Sequence, residues 1–130
     1  MGSWGQGAFE NDDAADLIAE LEGVELRERA AILAEALEGV VASGGYLEVD
    51  QGNVAVAAAA LVAGSRSARA VVIGGQPSAS VELTPAAPEL LALAAEAIDR
   101  VTGAGSEWRA LWGDGRVLEE AKALARALRA

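Results

Sequence analysis

The chain has 130 residues, a formal net charge of −10, and neither cysteine nor histidine. That length fits a single domain, and the missing residue types exclude disulfides, thiolate nucleophiles, Cys/His zinc sites and imidazole acid–base catalysis. The acidic balance disfavours nucleic acid and anionic membranes as partners, because like charges repel.

The composition favours helices around a core of small side chains. Hydrophobic residues make up 52% of the chain and aromatic residues only 4%, while alanine, the strongest helix former, accounts for about a quarter. We therefore predict a mostly all-α fold, a single compact domain over residues 1–130 with five or six helices. Residues 1–10, rich in glycine and aromatic side chains, are expected to form an arm packed on the body.

The first predicted helix begins in a cluster of acids. Asn11 or Asp12 fits the N-cap position, where a side-chain oxygen can accept a hydrogen bond from a free amide of the first turn. Asp13 and Asp16 follow in the first turns, where negative charge meets the positive end of the helix dipole. Gly23 is expected to end this helix.

Two further helices are predicted in the first half of the chain. Apolar residues over positions 24–42 are spaced by three and four, which places them on one face of a helix. The next helix, over residues 51–64, is dominated by alanine and almost uncharged. Such a helix is expected to lie centrally and to be covered on most sides.

Residues 64–83 differ in character from the helical segments. The β-branched residues at 71–73 and Val81 flank the sequence Gly-Gly-Gln-Pro, which permits a short hairpin near residues 70–83. An irregular connection fits this stretch equally well, and the sequence leaves the two alternatives open.

The second half is predicted to contain the remaining helices. Pro85 or Pro88 marks the start of one, because proline is favoured at the first helical position, and Gly103 closes it. Ser106 fits the N-cap of the short segment EWRALW, and Gly115 separates that segment from a last helix.

The first sixteen residues, MGSWGQGAFENDDAAD, resemble the signature of a bacterial family known as a domain of unknown function, DUF family 4259. Its members begin Met-Gly-x-Trp-Gly-x-Gly and continue with Phe, an acid, Asn-Asp and Ala. The resemblance implies a short helical protein with an alanine-rich helix in mid-chain and a Trp-containing segment near the end, as VAVAAAALVA and SEWRALW stand here. It implies no activity and assigns no catalytic or binding residue.

Four large aromatic side chains are predicted to form a structural cluster. Trp108 and Trp112 are four residues apart and so share one face of a helical turn. Trp4 and Phe9 join them if the arm lies across the body, with its glycines allowing the backbone to come close. The alternatives are an exposed aromatic platform, or an apolar pocket near the tryptophans that binds a small molecule.

The acidic cluster near the start is the candidate binding face, and it consists of Glu10, Asp12, Asp13, Asp16 and Glu20. These carboxylates can serve as helix cap and solvated surface, as oxygen ligands for a divalent cation, or as a surface for a basic partner. The D-x-[DN]-x-[DN]-G spacing of a calcium loop is absent, so we predict no metal site and no cofactor.

The net charge is concentrated in the first half of the chain. Residues 1–65 contain twelve acids and two bases, whereas residues 66–130 contain eight of each. In one interpretation the acidic first helix packs beside the last helix and is partly neutralised by its basic residues, which are Arg116, Lys122, Arg126 and Arg129. In the other, the acidic half is a docking face for a basic protein.

We therefore predict a non-enzymatic, immunity- or inhibitor-like module that binds a basic protein. One alternative is a small hydrolase that depends on a divalent metal or on carboxylates. Another is a small-molecule domain with an apolar pocket near the tryptophans. The longest apolar run, residues 54–63, is half the length of about 20 residues that a membrane span needs, and no leader pattern is present, so a cytoplasmic location is expected.

The predicted role of the arm gives a direct test. Deletion of residues 2–9 is expected to lower the free energy of unfolding by several kcal/mol, because losing a buried Trp or Phe side chain costs about 3–5 kcal/mol. Thermal unfolding of the deleted and full-length chains measures the difference. An unchanged melting temperature would show that the arm is a tail, and would favour the exposed platform.

Overall fold

Six α-helices account for most of residues 11–66, 81–112 and 115–130, which are the parts of the chain that this computed structural model describes. The helices are α1 (Asp12–Glu22), α2 (Leu26–Val41), α3 (Val49–Arg66), α4 (Pro88–Thr102), α5 (Glu107–Trp112) and α6 (Arg116–Arg129). The described residues contain no strand beyond isolated bridges, so the prediction of a compact all-α domain is confirmed. The arm over residues 1–10 and residues 67–80, which include most of the possible hairpin near residues 70–83, lie outside the described residues.

Helix α3 is the centre of the fold, as its alanine-rich sequence predicts. Every residue from Ala55 to Ala63 is buried. Helices α1, α2, α4, α5 and α6 all pack on α3. Alanine side chains are short, and they therefore let so many neighbours approach one helix closely.

Helix α4 is the second central element. It packs on α3, and it also contacts α2, α5 and α6. Larger aliphatic side chains fill the space around the two central helices, and the most deeply buried include Leu21, Leu33, Leu37, Ile98 and Leu124.

Helices α1 and α2 both pack on α3. This arrangement leaves a groove between α1 and α2.

Several helix ends follow their predicted caps. The side chain of Asn11 accepts a hydrogen bond from the Ala14 amide at 2.7 Å, and α1 is followed by Gly23. Pro88 occupies the start of α4, and the Ser106 hydroxyl accepts from the Arg109 amide at 3.3 Å. These ends depend on neighbours in sequence, which is why the sequence predicts them.

The start of α3 depends instead on residues far away in the chain. Leu47 donates its amide to the Gly105 carbonyl at 2.8 Å and accepts from the Glu107 amide at 2.8 Å. The Glu107 carboxylate accepts from the Val49 amide at 2.8 Å. The partner that caps α3 is thus a side chain of α5, and α3 begins two residues before its predicted start.

The same contact seats Trp108 on α3. The indole is buried, and a Cβ added to Gly52 would lie 2.8 Å from the Trp108 Cβ, well inside normal contact distance. Position 52 therefore requires glycine because of the close approach of α5, although α3 is otherwise regular helix. Among the described residues, no helix is both long enough and apolar enough to cross a membrane.

Two helical glycines give a matched test of this packing. Gly52→Ala is expected to lower the free energy of unfolding by about 1–3 kcal/mol, the usual cost of overpacking a core. Gly39→Ala, at an open position of α2 where a new Cβ meets nothing within 4 Å, is expected to raise it by about 0.5–1 kcal/mol. Urea denaturation measures the free energy of unfolding of both variants. A Gly52→Ala protein that is more stable than wild type would contradict the close approach of α5 to α3.

Candidate functional site

The acidic residues of α1 lie on its outer side. The inner side of α1 is buried through Ala14, Leu17 and Leu21 against the core. Asp12, Asp16 and Glu20 are exposed, whereas Asp13 is half-buried. Glu10 lies outside the described residues. The helical period therefore separates the exposed carboxylates of Asp12, Asp16 and Glu20 from the apolar residues that attach α1 to α3.

Asp13 differs from the other acids because it joins two helices. The side-chain amide of Asn53 in α3 donates to the Asp13 carboxylate at 3.1 Å. Asn53 itself is buried, with 5% of its surface exposed. A buried amide without a partner costs free energy, so this hydrogen bond fixes where α1 lies on α3.

Three of the predicted acids line the groove between α1 and α2, which has a volume of about 290 Å³. Asp13, Asp16 and Glu20 come from α1, and Glu35 of α2 joins them. The apolar lining consists of Leu17, Ile32, Ala36 and Val54. We call this feature the α1–α2 groove. It combines an apolar surface with four carboxylates, and no basic residue lines it among those described.

The predicted site included Asp12 and lacked Glu35, whereas the α1–α2 groove is lined by Glu35 and not by Asp12. Asp12 is exposed but does not line the groove. Glu35 follows Ile32 by three residues in α2 and so lies near it on one face. That spacing is visible in the sequence, but only the packing of α1 and α2 on α3 shows that this face meets the acids of α1.

The described acids do not form a metal centre. No group of three or more acidic side chains within residues 11–66, 81–112 and 115–130 is arranged to hold a metal ion. The carboxylates of the α1–α2 groove are instead distributed along two helices.

Two of the three tryptophans, Trp108 and Trp112, lie within the described residues and pack against the hydrophobic core. Trp108 is buried against α3, and Trp112 is half-buried against the same core. Trp4 and Phe9 lie outside the described residues, so their predicted packing on these rings stays a prediction. Neither tryptophan lines the α1–α2 groove.

We predicted that basic residues of α6 partly neutralise the acids of α1. This prediction is wrong for Arg116 and Arg129, because both form ion pairs elsewhere. Arg129 pairs with Asp99 of α4, and Arg116 approaches Glu120 of its own helix at 4.0 Å. The hydrogen bond to Asp99 also raises the pKa of Arg129. The physical reason is packing: α6 packs mainly against α4 and α1 packs against α3, and α1 and α6 are not among the helix pairs that pack closely together. Within the described residues, these ion pairs join no basic side chain of α6 to Asp13, Asp16 or Glu20.

Comparison with known proteins gives one match. A family model described as a domain of unknown function, DUF4259, matches residues 2–124. Neither the curated proteins nor the solved structures contain a match to this chain.

The spread of the acids predicts weak binding of divalent cations. Titration with calcium, magnesium and manganese is expected to give dissociation constants in the millimolar range or weaker, because too few carboxylates converge to replace the water ligands of these ions. Isothermal calorimetry measures this directly. Micromolar binding that is lost in an Asp13→Asn variant would contradict the expectation, and would support the metal-dependent alternative.

Proposed function

The chain belongs to the DUF4259 family, a domain of unknown function, and from this premise we propose that it is a non-enzymatic module that binds a basic protein. The proposed binding site is the α1–α2 groove. An immunity or inhibitor protein acts in this manner, since it needs only to bind and cover its target.

The observation that carries the proposal is the combination of surfaces in the α1–α2 groove. A lysine or arginine side chain has an apolar stem and a charged head. The stem can lie on Leu17 and Ile32, while the head reaches the carboxylates of Asp16, Glu20 or Glu35. Four carboxylates in one groove provide for more than one such side chain.

The overall charge supports the same partner class. The net charge is −10, and residues 1–65, which include α1, α2 and most of α3, hold twelve of the acids. A field of one sign attracts a partner of the opposite sign before contact and speeds association, and added salt weakens this effect. The same field opposes binding of nucleic acid phosphates.

The test uses two triple variants that remove equal charge. Asp16→Asn, Glu20→Gln and Glu35→Gln neutralise the α1–α2 groove and leave the Asp13 hydrogen bond in place. The control variant carries Glu28→Gln, Glu48→Gln and Glu119→Gln, three exposed positions that do not line this groove.

The wild-type chain is immobilised and used to capture protein from a lysate of the source cells at low salt, and the captured protein is then purified. Its association with the three chains is measured by surface plasmon resonance at several salt concentrations. We expect the groove variant to associate about tenfold more slowly or worse, because steering by a charged cleft is worth 10-fold or more in rate, and the control to stay near wild type.

Two results would contradict the proposal. If no basic protein is captured at low salt, the proposed partner is absent and the proposal is contradicted. Equal losses in the groove and control variants would show that net charge alone, without the α1–α2 groove, accounts for binding.

A further inference from the structure

Helix α2 has a second groove on another side, between it and α4. Its apolar lining includes Ala30, Ala31 and Ala34 from α2, Leu90 and Leu93 from α4, and residues 85–87 before α4. Its volume is about 620 Å³, roughly twice that of the α1–α2 groove. We call it the α2–α4 groove. None of the predicted site residues contributes to it.

One edge of the α2–α4 groove is held in place by hydrogen bonds. Residues 84–87 form this edge. Arg29 of α2 donates to the Glu82 carbonyl at 2.9 Å, and the Ala86 amide donates to the Ser65 hydroxyl at 3.2 Å. These contacts tie the segment before α4 to α2 and α3.

The charge around the α2–α4 groove identifies the kind of occupant. Its ionisable residues are Glu38, Glu89 and Glu96, all exposed, and no Lys or Arg of the described chain lines it. A second copy of this chain, with its net charge of −10, meets like charge here. An anionic ligand meets the same repulsion. An apolar surface bordered by carboxylates is complementary to a surface that is apolar at its centre and basic at its margins.

We infer that the α2–α4 groove binds the apolar face of a basic amphipathic helix of the partner protein. The inference rests on the proposed function for the basic character of that partner. Short alanine side chains on α2 leave room for the larger apolar side chains of an incoming helix, which enter such a groove at positions i, i+3, i+4 and i+7. The basic residues flanking that apolar face meet Glu38, Glu89 and Glu96.

Two alanines of α2 that are two residues apart line different grooves. Ala34 lines the α2–α4 groove and Ala36 lines the α1–α2 groove. Both are half-buried residues of the same helix. Ala34→Gln and Ala36→Gln therefore place the same longer, polar side chain in one groove or the other.

The probe is a fluorescent peptide of about 14 residues, four helical turns, made of leucine and lysine in an amphipathic order. A second peptide has the same composition in a permuted order that forms no apolar face. We expect the wild-type chain to bind the amphipathic peptide about tenfold more tightly than the permuted one, because only the former presents apolar anchors on one face. Fluorescence anisotropy of both peptides with each variant measures this preference.

The inference is supported if Ala34→Gln abolishes the preference while Ala36→Gln keeps it. If only Ala36→Gln abolishes it, the helix binds in the α1–α2 groove, and the inference is wrong while the proposed function stands. Equal binding of both peptides by the wild-type chain also overturns the inference, because charge alone then explains binding. Failure of both peptides to bind overturns the inference, whereas the proposed function is decided separately, by the capture of a basic protein and its association with the groove variant.

Two controls keep the result interpretable. Ala31→Gln, at an exposed position in the same groove, repeats the test if Ala34→Gln unfolds by circular dichroism. Sedimentation of the wild-type chain alone detects self-association. A dimer that Ala34→Gln dissociates would show that a second copy occupies the groove, and would overturn the inference.

Discussion

The burial of α3 is the constraint on which the rest of the structure depends. A helix whose residues from Ala55 to Ala63 are all buried must be covered by neighbours, and five helices cover it. Each alanine buries little apolar area, so α3 contributes to stability through many close contacts with its neighbours, whose larger aliphatic side chains fill the space around it. Close approach is therefore a structural requirement, and the absence of a Cβ at Gly52 beneath Trp108 shows it at one point.

The candidate binding surface follows from the same constraint. Helices α1 and α2 both need α3 to bury their apolar sides, and where they lie side by side on it a groove is left between them. Their outer sides must be polar, and in this chain they are mainly acidic. The α1–α2 groove is thus lined by apolar residues near α3 and by carboxylates from both helices. A second acid-bordered groove forms where α2 meets α4.

The predictable part of the candidate site is what lies on α1. Asn11 caps α1, and the period of 3.6 residues places Asp16 and Glu20 on its outer side. The sequence could not show that Glu35 faces them, because that contact depends on how two helices sit on a third. Nor could it assign Arg129 to Asp99, since charge pattern alone permits many pairings and packing selects one.

The sequence by itself determined the helical fold, the central alanine helix and the helix ends that local caps define, because these depend on propensity, period and neighbouring residues. Tertiary structure decided the start of α3, where Glu107 supplies a cap from 58 residues away. It also decided which acids converge on one groove and which cations pair elsewhere. Those outcomes are contacts between distant segments, and a pattern along one helix carries no information about the face that its neighbour presents.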